Sequence, residues 1–126
     1  MTPPPGFFKK FSEPPEALRA DNLRHWASTI EGTVRISDVK PRERVKVAGV
    51  IQNIRIDPRE GTGSIEATFI DGTGEMVAKW LGRQSLSGIS LGAGLVIEGM
   101  IGSTGSASEC VILNPEYDLI PSPEHG

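Results

Sequence analysis

The sequence predicts an all-β fold, a five-stranded barrel with an added N-terminal α-helix, and two neighbouring segments carry most of that prediction. Residues 65–70 and 76–81 both alternate apolar and more polar side chains, which is the pattern of strands with one buried face. Between them, Asp71-Gly72-Thr73-Gly74 supplies the positive φ that a tight hairpin needs. The two strands are therefore expected to be antiparallel, with one face in the core and the other as the candidate working surface.

A long first strand is predicted over Val45–Ile56, ahead of this hairpin. Val45, Val47 and Ile51 fall on one side of the chain if the strand bends at Gly49, because an isolated glycine in a strand often marks a bend. Residues 57–63 then form the loop to the second strand. A long first strand shared by both halves is what a five-stranded barrel requires.

The C-terminal half is expected to supply two more strands. The fourth runs from about Leu95 to Ile101 and is followed by a loop, 102–108, that is flexible by composition. The fifth runs from Cys110 to about Leu113, where Asn114-Pro115 ends or interrupts it. The residues beyond this break are expected to continue in extended form.

An N-terminal helix is predicted from about Pro15 to Thr29. Proline and acidic residues over 13–16 are favoured in the first turn of a helix. One apolar stripe at positions i, i+3, i+4 and i+7 is expected to lie against the barrel. It consists of Leu23, Trp26, Ala27 and Ile30.

The length of 126 residues is enough for one domain with a modest core. We expect a flexible tail over 1–13, the packed helix over 14–31, the barrel over 32–120 and a second tail over 121–126. With 13 Lys and Arg against 16 Asp and Glu, the formal charge is -3. A protein that coats nucleic acid by bulk electrostatics is thereby disfavoured, and any such site must be a local basic stripe.

The single cysteine, Cys110, allows no intrachain disulfide and no thiolate metal site built from this chain alone. No stretch is apolar for long enough to span a bilayer, and residues 1–6 lack the charged head and apolar run of a signal peptide. We therefore expect a cytoplasmic protein that is neither secreted nor anchored to a membrane.

The motifs of common enzymes are not found in the sequence. His25 and His125 are far apart, so neither a metal cluster nor an acid–base pair is indicated. The glycines over 72–74 and 92–94 precede no predicted helix and are typical of turns, not of phosphate-binding loops. We expect no catalytic residue, metal or cofactor, and hence a non-enzymatic protein.

Four segments in chain order resemble an OB-fold of the tRNA-anticodon-binding type: Arg44–Val50, Ile65–Gly74, Leu95–Gly99 and Asn114–Tyr117. They are especially similar to the wedge domain of RecG-type branch-migration helicases, where the barrel also closes with a Pro-Glu-Tyr segment. With Arg24-His25-Trp26 and Trp80-Leu81-Gly82-Arg83 included, the chain resembles small stand-alone OB-fold proteins of actinobacteria described as nucleic-acid-binding. The similarity spans about Gly32 to Ile120.

The resemblance implies that single-stranded or junction nucleic acid lies across strands two and three, flanked by the first-second and fourth-fifth loops. Basic side chains there would neutralise phosphates with little sequence preference. The candidate binding residues are Lys46, Arg55, Arg59, Lys79, Trp80 and Arg83. The alternative is that the charges are ordinary solvated ones, offset nearby by Glu43, Asp57, Glu60 and Glu66.

The roles of the aromatic residues are left open by the sequence. Trp80 is either a core side chain or a platform for bases, and Tyr117 has the same two alternatives. The cluster Phe7-Phe8-Lys9-Lys10-Phe11 either stacks on bases, grips a partner or packs the N-terminal end onto the barrel.

A protein-interaction adaptor is the alternative function. The outward residues of strand two include no aromatic side chain, and strand three offers Val77, Lys79 and Leu81. Such a face is a poor stacking platform and a plausible protein contact, as is the Phe7–Phe11 tail. The choice between DNA and RNA and the oligomeric state are not indicated.

Overall fold

The computed structural model describes residues 15–57, 63–83, 85–102 and 110–123, with helix side chains described from residue 20 onward. Within these residues there are one α-helix, one short 3₁₀ helix and six β-strands. These are α1 (Pro15–Ser28), the 3₁₀ helix (Ile36–Asp38), β1 (Arg44–Asp57), β2 (Ser64–Ile70), β3 (Glu75–Leu81), β4 (Gly94–Met100), β5 (Val111–Leu113) and β6 (Glu116–Ile120). The predicted tail over 1–13 and the candidate Arg59 lie outside the described residues.

Strand β1 is the centre of a single sheet with the order β5-β3-β2-β1-β4-β6. Its first half pairs with β4 and its second half with β2, and Val50 is opposite both Gly94 and Ile70. The predicted long first strand shared by both halves is thereby confirmed. Gly49 is needed where the strand crosses, because a Cβ at this position would lie 2.5 Å from the Phe69 ring.

The sheet has six strands, whereas the sequence predicted five. The predicted fifth strand is interrupted at Asn114, whose φ is +47°, and at Pro115, which has no N–H to donate. Its first part, β5, pairs with β3 in parallel, and its second part, β6, pairs with β4. An isolated bridge between Ile101 and Ile112 joins the two sides. The hydrogen-bonded order is open, so a closed five-stranded barrel stays a prediction.

A β-bulge in β1 reverses which side chains face inward. The register shifts between Ile51 and Asn53, so the inward positions change from odd to even residue numbers. Arg55 consequently lies on the outer face opposite Glu66. This bulge was not predicted, although the spacing of apolar residues changes from two to three between Ile51 and Ile54.

The core is formed mainly by one face of each of the first four strands, together with one residue each of β5 and the 3₁₀ helix. Its buried members are Ile36, Val45, Val47, Ile51, Ile65, Ala67, Phe69, Met76, Ala78, Trp80, Leu95, Ile97, Ile101 and Ile112.

Helix α1 covers part of the outer face of the sheet. Ala48 and Val96 are paired on that outer face and are nevertheless buried. The helix contacts β1, its Leu23 is buried, and the Trp26 ring packs over Gly94. Helix α1 therefore packs against the outer face of the sheet at β1 and β4. No helix within the described residues is long and apolar enough to cross a membrane.

The β2–β3 turn contacts the backbone of α1 closely. Gly72 has a φ of +86°, which confirms the predicted positive φ of the Asp-Gly turn. A Cβ at Gly72 would overlap the Ala20 carbonyl oxygen and the Arg24 nitrogen. Glycine is thus required here twice, once by the backbone conformation and once by the approach of the helix.

We expect Gly72→Ala to lower the free energy of unfolding, measured by urea denaturation, by about 2–4 kcal/mol. An alanine in the left-handed conformation costs about 1–2 kcal/mol, and its Cβ must in addition displace α1. Gly82→Ala is the matched control. Gly82 has a φ of +73° but no atom within 4 Å of a Cβ, so only the strain remains. Equal losses for the two variants would contradict the close contact between turn and helix.

Candidate nucleic-acid interface

The second half of β1 together with β2, β3 and β5 presents an outer face that α1 leaves uncovered. Cross-strand pairing sets its side chains in two adjacent rows across the four strands. One row is Asn53, Thr68, Val77 and Val111, and the other is Arg55, Glu66, Lys79 and Leu113. We call these eight residues the open face.

The charges of the open face alternate along one row. Lys79 Nζ lies 3.6 Å from Glu66 Oε2, in a partly exposed ion pair. Arg55 is opposite Glu66 on the other side and makes no ion pair with a described residue. The row therefore carries one acidic side chain between two basic ones. An exposed ion pair contributes little stability, so Lys79 can exchange Glu66 for a phosphate at small cost.

Arg83 lies at one end of the open face. It follows β3 in the turn made by Gly82, whose backbone N–H donates to the Gly63 carbonyl at 2.6 Å. Gly63 directly precedes β2, so this hydrogen bond places Arg83 close to the start of β2; the candidate Arg59 lies outside the described residues. Arg83 is exposed and makes no ion pair with a described residue.

Lys46 is not brought together with the other candidates. It lies in the first half of β1, in a row with Glu98 and Glu116. It comes nine positions before Arg55, a distance of up to about 30 Å along the strand. Arg44 beside it is occupied by ion pairs to Glu98 at 3.5 Å and Glu116 at 3.3 Å. The two glutamates offset the two basic side chains in this part of the sheet, and Lys46 lies apart from Arg55, Lys79 and Arg83.

Trp80 is a core residue, which decides between the two roles that the sequence left open. Its side chain is 3% exposed and its indole N–H donates to the Pro115 carbonyl at 2.9 Å. Tyr117 packs against it edge-on, with ring centroids 5.7 Å apart, and donates its hydroxyl to the Ser87 carbonyl at 3.0 Å. Trp80 has no ring face available for a base, so its assignment as a nucleic-acid-binding residue is corrected.

The open face also carries exposed apolar side chains. Leu113 is 49% exposed, and Leu81, next to it at the end of β3, is 50% exposed. Val77 and Val111, in the adjacent row, are half-buried. No aromatic residue belongs to the open face as defined here, in keeping with the outward residues predicted for strands two and three.

Cys110 lies at the start of β5, where its backbone carbonyl accepts a hydrogen bond from the Val77 N–H at 2.9 Å. Partial burial raises the pKa of the Cys110 thiol, because desolvation disfavours the thiolate. Since the thiolate is the nucleophilic form, this cysteine is poorly suited to covalent chemistry at neutral pH. Among the described residues, no cluster of His, Cys, Asp and Glu side chains is arranged to hold a metal ion.

A separate polar cleft of about 450 Å³ lies between α1 and the β2–β3 turn. It contains Arg24 and Arg35, which make ion pairs with Asp21 and Asp38 respectively. Each arginine is therefore balanced by an aspartate three positions away in the chain. The cleft offers a weaker attraction for an anion than the row on the open face.

Comparison with known proteins gives matches in structure only. No protein-family model matches the chain, and no curated protein matches its sequence. RecG bound to a three-way DNA junction matches with a TM-score of 0.56 at 18% identity, over 72% of this chain and 13% of the RecG chain. The p204 HINb domain matches with a TM-score of 0.52 at 18% identity, over 70% of this chain and 47% of that chain. A Replication Protein A heterotrimer bound to ssDNA matches with a TM-score of 0.49 at 14% identity, over 83% of this chain and 80% of that chain.

At these identities the likeness is one of fold. The described chain is mostly β with one N-terminal helix, and its likeness to RecG supports the OB-fold resemblance drawn from the sequence. The chain spans only a small part of RecG. The activity of that whole protein therefore does not transfer with the fold.

Proposed function

We propose that this chain is a non-enzymatic OB-type module that binds single-stranded or branched nucleic acid on its open face. One observation carries the proposal: α1 covers the outer face over β1 and β4, and leaves uncovered the face that presents Arg55, Lys79 and, at its end, Arg83. The structural match to RecG bound to a three-way DNA junction supports it. The single cysteine fits a reducing, cytoplasmic setting.

Binding on this face would act mainly through phosphates. Arg55 and Lys79 lie two strands apart in one row, and Arg83 continues the basic side chains beyond β3. Glu66 in the same row and the net charge of -3 oppose the approach of a polyanion. We therefore expect modest affinity, little base preference and a clear dependence on salt.

Fluorescence anisotropy with labelled single-stranded DNA, single-stranded RNA and a forked duplex tests this proposal. Three phosphate contacts to a single strand predict a log–log salt slope of about -2, so affinity should fall roughly tenfold or more between 50 and 200 mM salt. At the same salt concentration, the variant with both Lys79→Glu and Arg83→Glu should bind at least about tenfold more weakly than the unmodified protein, because both contacts become repulsive.

Lys46→Glu is the control, since it makes one charge reversal of the same kind on a part of the sheet away from the open face. It should alter affinity by no more than about twofold, from the change in net charge alone. Equal losses for Lys46→Glu and the Lys79/Arg83 variant would contradict the open face as the site. No saturable binding to any of the three nucleic acids at high micromolar protein would contradict the function itself.

The second candidate function is a protein-interaction adaptor, and the exposed Leu81 and Leu113 favour it specifically. Apolar association is far less sensitive to salt than phosphate binding. Val77→Asp or Leu81→Asp should then abolish binding to the partner, as measured by calorimetry at the same two salt concentrations, while the Lys79/Arg83 variant should have a smaller effect.

A further inference from the structure

Glu66 lies between the two basic side chains of the open face. It is paired across the strands with Arg55 on one side and with Lys79 on the other, and the backbones of these two basic residues are about 10 Å apart. A phosphate is attracted to either end of this arrangement and repelled from its middle, because the Glu66 carboxylate is negatively charged. A single strand that crosses the row therefore places its phosphates at the two ends and another part of a nucleotide over Glu66.

Glu66 differs in hydrogen bonding from every other side chain of the open face. An ionised carboxylate only accepts hydrogen bonds, whereas Asn53 and Thr68 both donate and accept them. The remaining members are two basic side chains, which only donate, and three apolar side chains, which do neither. Glu66 is thus the member of the open face that requires a hydrogen-bond donor from the ligand.

Nucleic-acid binding changes the partner of Glu66. In the free protein Lys79 Nζ lies 3.6 Å from Glu66 Oε2, and the Glu66 side chain is 29% exposed. When Lys79 turns to a phosphate, the carboxylate loses this partner while the ligand takes the place of water above it. A carboxylate that is covered without a donor is disfavoured, so a ligand that brings a donor to this point binds more tightly.

We propose that Glu66 determines which bases this site prefers, by accepting a hydrogen bond from the exocyclic amino group of an unpaired base. The inference rests on the proposed function and specifies its ligand as a single strand, or the single-stranded part of a fork, that contains amino-bearing bases such as cytosine. Cytosine presents its N4 amino group as a donor, whereas thymine and uracil present the O4 acceptor there, which the carboxylate repels. The preference is small beside the contribution of the phosphates, because it comes from one partly exposed hydrogen bond.

Anisotropy titrations with oligodeoxycytidine and oligodeoxyuridine of equal length, at one fixed salt concentration, test this assignment. The two strands have the same backbone, and their bases differ chiefly in the group on C4. The unmodified protein should bind the cytidine strand about three- to tenfold more tightly, which is the ratio expected of one net hydrogen bond.

Glu66→Gln should reduce this ratio to within about twofold, since an amide either accepts from the cytosine amino group or donates to the uracil O4. Both strands should also bind to this variant more tightly than to the unmodified protein, because a negative charge is removed from the row.

Glu98→Gln is the matched control, since it makes the same substitution opposite Lys46 and away from the open face. It should leave the cytidine preference unchanged. All three proteins should melt within a few degrees of one another, because the ion pairs of both glutamates are partly exposed and contribute little stability.

The outcomes separate this assignment from other roles of Glu66 and from the proposed function. Salt-dependent binding without a cytidine preference, with equal gains for both strands in Glu66→Gln, would overturn the assignment and leave Glu66 as a repulsive charge. A cytidine preference that survives Glu66→Gln would overturn it as well. So would a preference for oligouridine RNA over oligodeoxyuridine that Glu66→Gln removes, since the carboxylate would then accept from the 2′-hydroxyl. Failure of the unmodified protein to bind any of these strands or a forked duplex would overturn the proposed function together with the assignment.

Discussion

Trp80→Ala is expected to lower the free energy of unfolding by about 3–5 kcal/mol, the range for removing a large buried aromatic side chain. The ring is 3% exposed and lies edge-on against Tyr117, so its removal leaves a cavity in the centre of the core. It also leaves the Pro115 carbonyl without its 2.9 Å hydrogen bond. This carbonyl lies at the interruption between β5 and β6, where Trp80 joins β3 to both. Urea denaturation followed by far-ultraviolet circular dichroism measures the loss.

Trp80→Phe is the control because it keeps an aromatic ring and removes the indole N–H. It should cost less, about 1–3 kcal/mol, for one buried hydrogen bond and a smaller cavity. Neither variant should change oligonucleotide affinity by more than about twofold under conditions where it is folded. A loss of stability below about 1 kcal/mol for Trp80→Ala, together with a large loss of affinity, would return Trp80 to the interface.

Asp71→Ala is expected to lower the free energy of unfolding by about 3–5 kcal/mol, because a buried carboxylate that accepts four hydrogen bonds is removed. Asp71 is 1% exposed, and one carboxylate oxygen accepts the N–H of Thr73 at 2.8 Å and of Gly74 at 3.2 Å. The Thr73 hydroxyl donates to it at 2.6 Å. The other oxygen accepts the N–H of Ile36 at 2.9 Å. One side chain therefore closes the β2–β3 turn and ties the 3₁₀ helix to it.

Asp71→Asn retains one acceptor oxygen and should cost less than Asp71→Ala in the same urea denaturation. Asp38→Ala provides the matched control, since this aspartate of the 3₁₀ helix is exposed and makes only an ion pair to Arg35 at 3.1 Å. Its loss should stay within about 1 kcal/mol. If Asp71→Ala destabilised the protein no more than Asp38→Ala, the carboxylate would not organise the turn as described.

The part of the fold that the sequence predicted well is the part encoded locally. Alternation over residues 65–70 and 76–81 marks two half-buried strands, and the Asp-Gly pair between them needs no distant contact to specify a turn. The bulge between Ile51 and Asn53 was not predicted, but it too has a local signal, the three-residue spacing of Ile51 and Ile54. The interruption at Asn114-Pro115 was predicted as one of two alternatives, and the structure shows that the chain resumes as a separate strand.

The candidate site was predicted less completely, because it depends on which strands are neighbours. Arg55 and Lys79 lie in the same row only because β1 and β3 both pair with β2. Lys46 is on the same strand as Arg55 but pairs on the β4 side, next to Glu98. No pattern in the sequence distinguishes Lys46 from Arg55, because both are basic residues at polar positions of one long strand.

The sequence by itself determined the strands, the hairpin, the helix and its apolar stripe, because periodicity and turn conformation are properties of neighbouring residues. The tertiary structure alone decided that Trp80 is buried and that Lys46 lies apart from Arg55. It also decided which part of the outer face of the sheet α1 covers, and hence that the open face stays uncovered by the helix. These outcomes depend on contacts between residues far apart in the chain, where the curvature of the sheet and the position of the helix set which surface remains in contact with solvent.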